Sequence, residues 1–486
     1  MLIGRTEETK RLLEALQSED AELIAIYGRR RVGKTYLVDE SYSDKIIFRH
    51  TALQPSSKED DDRDLEKKVS EKQRQLDAFY FNMLRYGLKP CKKPKSWLEA
   101  FYYFQNLLDD KVRPDNGVIF IDEIPWMDTP KSGFLDAFIA FWNNYCTPRH
   151  LKLVVCGSSS SWILDKIIHN QGGLYRRTTV KIKLKPFSLN ECEKYLLAKN
   201  IRYSRYDIAR AYMALGGIPY YLARFRSGFS VSQNIDSVFF NEDADLSDEF
   251  DELFSSQFVN SNEYKSLVRF LSKRKRGYTM EDISKHLQIK SGGTLTDMLK
   301  ALENGMFIES YKPFGEKGKM LHYRLIDPFC IFYLKQIEPV KLPRPFYWET
   351  HSFTSEANAG RGNAFEILCY NHVSQIKAKL MIGGYQTDES VFYQKGSEEE
   401  DGAQIDMIIE RADNVINICE AKFVNDIYSL NKRDHESLVR RCNLVQTLIS
   451  PKCSVHPVMI TTFGLADNEY RYDYPTVLLL DDLFAF

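Results

Sequence analysis

Paired cysteines, net charge and long apolar runs are all scarce in this chain, and each absence closes off a class of answer. Its nine cysteines contain no Cys-x-x-Cys pair and are scattered through apolar segments. That argues against a zinc knuckle or a disulfide framework and predicts reduced thiols in a cytoplasmic protein. No apolar run reaches the roughly 18 residues needed to cross a bilayer, and the opening MLIGRTEETKRLL lacks a signal-peptide apolar stretch, so no membrane partner is expected. With 66 Lys+Arg against 67 Asp+Glu the formal charge is -1, so any nucleic-acid contact has to be a local patch. Internal repeats and low-complexity tracts are absent too. What remains is 486 residues, 43% hydrophobic, of ordinary globular composition and enough for about two to four domains.

The first third alternates short apolar runs with helical stretches. ELIAIY (Glu22 to Tyr27), GVIFID (Gly117 to Asp122) and LKLVVCGS (Leu151 to Ser158) have the near-continuous apolar character of strands buried on both faces of a parallel sheet. A charge-rich insertion, Ser56 to Gln75, predicts a solvated helix or a partly ordered loop. From Ser188 to about Phe240 the pattern is helical, broken at GGIP (Gly216 to Pro219), and the acidic run Asn241 to Glu252 reads as a linker. Phe258 to Val340 carries three short amphipathic helices and then two strand-like pieces, the order of a winged helix. It holds 14 Lys+Arg and 9 Asp+Glu, a local excess of five positive charges. After KLPRP (Lys341 to Pro345), a plausible linker, the remainder reads helix, strand, strand, strand, helix, strand.

GRRRVGKT (Gly28, Arg29, Arg30, Arg31, Val32, Gly33, Lys34, Thr35) fits G-x-x-x-x-G-K-[ST] between a strand and a helix. The glycines let backbone N–H groups approach a β-phosphate, Lys34 bridges β- and γ-oxygens, and the Thr35 hydroxyl can ligate Mg²⁺. The complementary half is a buried strand ending in acid, and VIFIDE supplies it. Asp122 would hold the magnesium shell and Glu123 would polarise the attacking water. ATP and Mg²⁺ are therefore the expected cofactors. Ser158 is either a sensor of the γ-phosphate or a plain turn serine. Arg176 and Arg177 are either solvated or contain an arginine finger, acting in cis or across a subunit interface.

Together IYGRRRVGKT, the IGRTEE box, VIFIDEIPWM, CGSSSSWI, YRRTTVKIKLKPF and LGGIPYYL resemble the archaeal-type ATPases, a branch of the AAA+ and signal-transduction P-loop ATPases. The resemblance covers about 240 residues. It implies that Arg177 is the finger, with Arg176 where the family often has Gly. It also implies that the IGRTEE box lies near the adenine, that Pro219 belongs to the lid, and that subunits assemble into a homo-oligomer. In the basic middle unit the third helix, around Thr294 to Leu302, is the candidate for a DNA major groove. Lys273 to Arg276, Lys290, Lys317 and Lys319 are candidate phosphate contacts. The alternative is a packing module, since the helix carries Asp297 and Glu303.

The last segment places Glu366 on a helix, Asp406 on the strand QIDMIIE, and Glu420 with Lys422 on the strand VINICEAKF. Residues i and i+2 of a strand share a face, and antiparallel pairing can bring Asp406 beside them. Two converging carboxylates can bind Mg²⁺ or Mn²⁺, and a neighbouring lysine can activate water. The full order resembles the PD-(D/E)XK nuclease superfamily. That resemblance implies Asp406 and Glu420 as metal ligands, Lys422 as the water-activating lysine and Glu366 as an auxiliary acid; Ile405 stands where the eponymous proline would be. The rival is a surface salt bridge on an ordinary strand.

The expected fold is thus α/β: a P-loop parallel-sheet ATPase core (1–187), a helical lid and acidic linker (188–257), a winged helix (258–340) and a C-terminal α/β restriction-endonuclease-like domain (341–486). The expected function is ATP hydrolysis controlling a metal-dependent nuclease-like domain that acts on DNA. The alternative is a nucleotide-driven switch whose inactive C-terminal domain binds nucleic acid or a protein partner of unknown identity.

Overall fold

The computed structural model describes residues 2–55, 70–110, 117–258, 260–289, 292–316, 318, 320–394 and 403–486. Lys290, Lys317, Lys319 and residues 56–69 of the charged insertion lie outside the described residues. The chain divides into two compact units, Met1–Lys185 and Pro186–Phe486.

In the first unit, strands β1 (Glu22–Tyr27), β2 (Ile46–Thr51), β3 (Val118–Asp122), β4 (Lys152–Gly157) and β5 (Thr178–Lys183) form a parallel sheet of order β2-β3-β4-β1-β5. Strands β3 and β4 are buried along their whole length, as helices on both faces of a parallel sheet require. One face is sealed by aromatics from the helices Glu71–Arg85, Trp97–Asp109 and Phe134–Phe141, with Phe79, Trp97, Phe101, Phe104 and Phe138 all buried. Strand β2 is the one the apolar runs do not reveal, because Arg49 and His50 interrupt it. Arg49 reaches Asp39 at 2.9 Å, while His50 is buried against Phe79. Because all five strands are parallel, their C-terminal ends share one edge, and that edge receives the residues of the first site.

In the second unit, the helices Leu189–Ala198, Arg205–Leu215, Pro219–Leu222 and Val231–Phe239 follow the helical pattern, with Gly216 capping one and Pro219 opening the next. The acidic run is not simply a linker. Glu249–Gln257 is a helix with Phe250, Leu253 and Phe254 buried, and Tyr221 donates to Glu249 Oε1 at 2.8 Å. The apolar i, i+3, i+4 spacing is there in the sequence, masked by the carboxylates between.

Next come the helices Ser261–Leu271, Met280–Leu287 and Gly293–Asn304 with a small antiparallel sheet, β6 (Tyr278–Thr279), β7 (Ile308–Tyr311) and β8 (His322–Leu325), of order β6-β8-β7. Beyond them the helix Ser355–Asn371 precedes β9 (Thr387–Gln394), β10 (Ala403–Arg411) and β11 (Val415–Lys422), which pair antiparallel. The helix Lys432–Leu448 then leads to β12 (Ser454–Thr461) and β13 (Thr476–Leu479), which extend the sheet in parallel. Strand β13 has four residues at the sheet's edge, too short to register as a period.

Candidate nucleotide site and a second charged cluster

Gly28 leaves β1 at φ +148, and a Cβ there would lie 2.2 Å from the Leu184 carbonyl oxygen, so the position admits only glycine. The loop ends at Gly33, which caps the helix Lys34–Tyr42. Lys34 is buried, and its ammonium donates to the carbonyls of Gly28 and Arg29, each at 3.1 Å. Arg29 and Val32 are buried and Arg30 and Arg31 half-exposed. The loop is braced by a residue that chemistry alone did not single out. Arg5, in the IGRTEE box, donates to Val32 O at 3.4 Å and to Lys185 O at 2.7 Å.

Strand β4 lies between β1 and β3, so the ends of three strands stand in a row. The Thr35 hydroxyl donates to Asp122 Oδ2 at 2.8 Å. Asp122 Oδ1 accepts from the Glu123 amide at 2.9 Å and the Cys156 thiol at 2.6 Å. Glu123 Oε2 in turn accepts both the amide and the hydroxyl of Ser158, at 2.8 and 2.9 Å. Ser158 therefore holds Glu123. Burial raises the pKa of Glu123 despite the attraction of Lys34. Its backbone sits at φ 51, a left-handed conformation uncommon outside glycine, of the kind that clusters where a side chain must be aimed.

Arg176 and Arg177 are exposed in the turn before β5. The β5 register pairs Thr178 with Leu23 and Lys183 with Tyr27, so the arginines stand at the other end of the sheet, roughly 16 Å from the loop at about 3.3 Å per residue. Both arginines thus lie away from the phosphate loop of their own chain. Arg176 instead lies over the Tyr175 ring at 5.2 Å.

The C-terminal residues do come together. Met407 faces Cys419 across the antiparallel pair, so the next step of register sets Asp406 beside Glu420. A bulge between Ile405 and Ile408 on the β9 side re-aims Asp406, and its Oδ2 accepts the Ala421 amide at 3.2 Å. Lys422 reaches Glu420 at 2.7 Å, and Arg441, from the helix Lys432–Leu448, also pairs with Glu420. Burial pushes the Glu420 carboxyl up, and these two cations more than reverse it. Asp406 is raised by burial and by Glu420.

Lys275 is the residue that the spacing could not bring here. It belongs to the KRKR run expected to touch phosphates, yet it pairs with Glu366 and lies 3.4 Å from Asp406. Among the described residues no three His, Cys, Asp or Glu are grouped to hold a metal ion. With every carboxylate committed to a cation, the cluster as it stands does not fit the divalent ion expected at Asp406 and Glu420.

Residues 2–225 match the family described as an ATPase domain predominantly from Archaea. This part of the chain, which spans the phosphate loop and the paired acids, is similar to that family. An uncharacterized protein of Methanocaldococcus jannaschii, MJECL04, is 29% identical over 341 residues, covering 70% of this chain and 69% of the relative. Among solved structures, the Walker-type ATPase PABY2304 of Pyrococcus abyssi is 18% identical with a TM-score of 0.44, covering 68% of this chain and 96% of its own. The ORC2 protein of Aeropyrum pernix, solved as ADPNP and ADP complexes, is 12% identical with a TM-score of 0.38, covering 69% and 94%. Among the described residues no helix is long and apolar enough to cross a membrane, and no disulfide joins any of the nine cysteines.

Proposed function

We infer that the chain hydrolyses ATP with Mg²⁺ and that the nucleotide cycle governs the second unit. The observation that carries this reading is the unbroken hydrogen-bonded series Thr35–Asp122–Glu123–Ser158 beneath the Lys34 loop. The groups fit their ligands. Thr35 and Asp122 offer hard oxygen donors 2.8 Å apart, the donor class Mg²⁺ takes, and a Cβ at Gly33 would meet nothing within 4 Å, so the loop there has open space beside it. Bound there, the ion would neutralise charge building on the β- and γ-oxygens. The chain's own part is to hold the phosphates with Lys34 and the loop amides. Glu123, aimed by Ser158 and kept from solvent, orients the water and draws its proton as it attacks. Arg177 serves the site of a neighbouring subunit, which makes a homo-oligomer the working form. A phosphate-release assay tests this: Lys34→Ala should abolish turnover, and turnover at the wild-type rate would refute it.

The basic middle unit, with Lys273 and Arg274 exposed, is read as a winged helix that meets DNA. The cluster of Glu366, Asp406, Glu420 and Lys422 is read as a nuclease-like centre whose carboxylates must first be freed. The ion pairs that now hold those carboxylates favour a second reading, a nucleotide-driven switch with no cleavage. Incubation with circular and linear DNA and with RNA, in Mg²⁺ or Mn²⁺, with and without ATP, separates them. Cutting that disappears in Lys422→Ala supports the first; no cutting with ATP hydrolysis intact supports the second.

A further inference from the structure

Three carboxylates and three cations meet in the second unit, and their charges balance: Glu366, Asp406 and Glu420 against Lys275, Lys422 and Arg441. Lys422 and Arg441 come from the same sheet and its covering helix. Lys275 does not. It arrives from the turn between the helix Ser261–Leu271 and β6, 131 residues before Asp406.

That turn is held firmly. Gly277 sits at φ +71, where a Cβ would lie 2.0 Å from the Tyr323 carbonyl oxygen. The Tyr311 hydroxyl donates to the Arg276 carbonyl at 2.6 Å, and the Arg276 guanidinium lies 4.0 Å over the Tyr393 ring of β9. Arg276 and Gly277 thus fasten the turn between β8 and β9, and the preceding residue is aimed at the carboxylates. Glu366 and Asp406 are only 13% and 12% exposed. Two such acids cannot both stay ionised side by side without a cation between them.

We propose that Lys275 is an internal stopper of the C-terminal cluster, filling the place between Glu366 and Asp406 that a divalent cation would otherwise take. The proposal rests on the nuclease-like reading of that cluster and supplies its regulation: the basic turn of the middle unit must withdraw before a metal can enter. Lys275 also lines a cavity of about 430 Å³ whose wall includes Lys273, Arg274, Lys335 and Arg361.

The test is Mn²⁺ binding by the nucleotide-free full chain, with Asp122→Asn present throughout so that the first unit contributes no site. Against that background Lys275→Gln should bind one Mn²⁺ per chain at least tenfold more tightly, a gain of about 1.4 kcal/mol, and adding Asp406→Asn should remove it. Equal affinity with and without Lys275→Gln, or no binding in either, overturns the stopper. Should Lys275→Gln fail to fold, Lys275→Met removes the charge at similar length and keeps all three carboxylates. Mn²⁺ should then raise its melting temperature and leave the parent's unchanged, and no rise overturns the proposal as well. Tight Mn²⁺ binding without DNA cleavage would uphold the stopper and refute the nuclease reading alone.

Discussion

For Glu123 and Ser158 the fold shows which atom faces which. In sequence, Ser158 could be a phosphate sensor or a turn; in the fold its amide and hydroxyl both point at Glu123. Ser158→Ala removes one of those two donors. It should lower kcat for ATP about tenfold, the worth of one hydrogen bond to a charged group, with ATP affinity unchanged. Steady-state kinetics beside a nucleotide-binding titration would show whether the two parameters separate.

Histidine makes a second prediction at this scale. His372 accepts the Leu189 amide at Nε2 and sits 2.8 Å from the Leu368 carbonyl at Nδ1, a pattern only the neutral ring satisfies. Burial lowers the pKa of His372, and of His50 in the first unit, from 6.5 to about 4. Between those values the unfolded chain takes up protons that the native chain refuses. Stability therefore falls as pH drops below 6.5, by about 1.4 kcal/mol for each histidine at pH 5.5. Denaturant titrations at pH 7.5 and 5.5 should show the loss, and His372→Gln should reduce it for the second unit.

At the scale of elements, β1, β3 and β4 were legible because strands buried on both faces are written as unbroken apolar runs. Strand β2 was not, since Arg49 finds Asp39 and His50 finds a pocket only after the chain has folded. Glu249–Gln257 was hidden by its carboxylates, yet Phe250 is fully buried. Phe250→Ala should cost about 3–5 kcal/mol, where a solvated linker would lose almost nothing; equilibrium unfolding decides between them. The pairing of β5 with β1 bears on catalysis. It puts Arg177 at the far end of its own sheet, so the finger proposed above would have to work between subunits. Lys34→Ala and Arg177→Ala should each be inactive alone, while their mixture should recover a fraction of wild-type turnover. A mixture as inactive as its components would remove the finger.

For the whole molecule, the order of chemistry along the chain was readable from local patterns, and the contacts between distant segments were not. Nothing near Lys275 in the sequence announces Glu366 or Asp406; that pairing exists only because the middle helices, the KRKR turn and the mixed sheet pack within one unit. The same holds for Arg441, brought to Glu420 by a helix crossing the sheet. Metal binding at the second unit's cluster would therefore require those cations to be displaced, and the proposed ATP hydrolysis rests on the row of groups between Lys34 and Ser158. If that row hydrolyses ATP, Glu123→Gln should bind ATP as tightly as the wild type and lose at least a hundredfold in turnover, since the amide keeps the side chain's shape without its basicity. Phosphate release measured under single-turnover conditions, with Mg²⁺ and saturating protein, reads the chemical step itself. Near-complete loss of that step in Glu123→Gln with nucleotide affinity retained is the expected result; release at the wild-type rate would contradict ATP hydrolysis at this site.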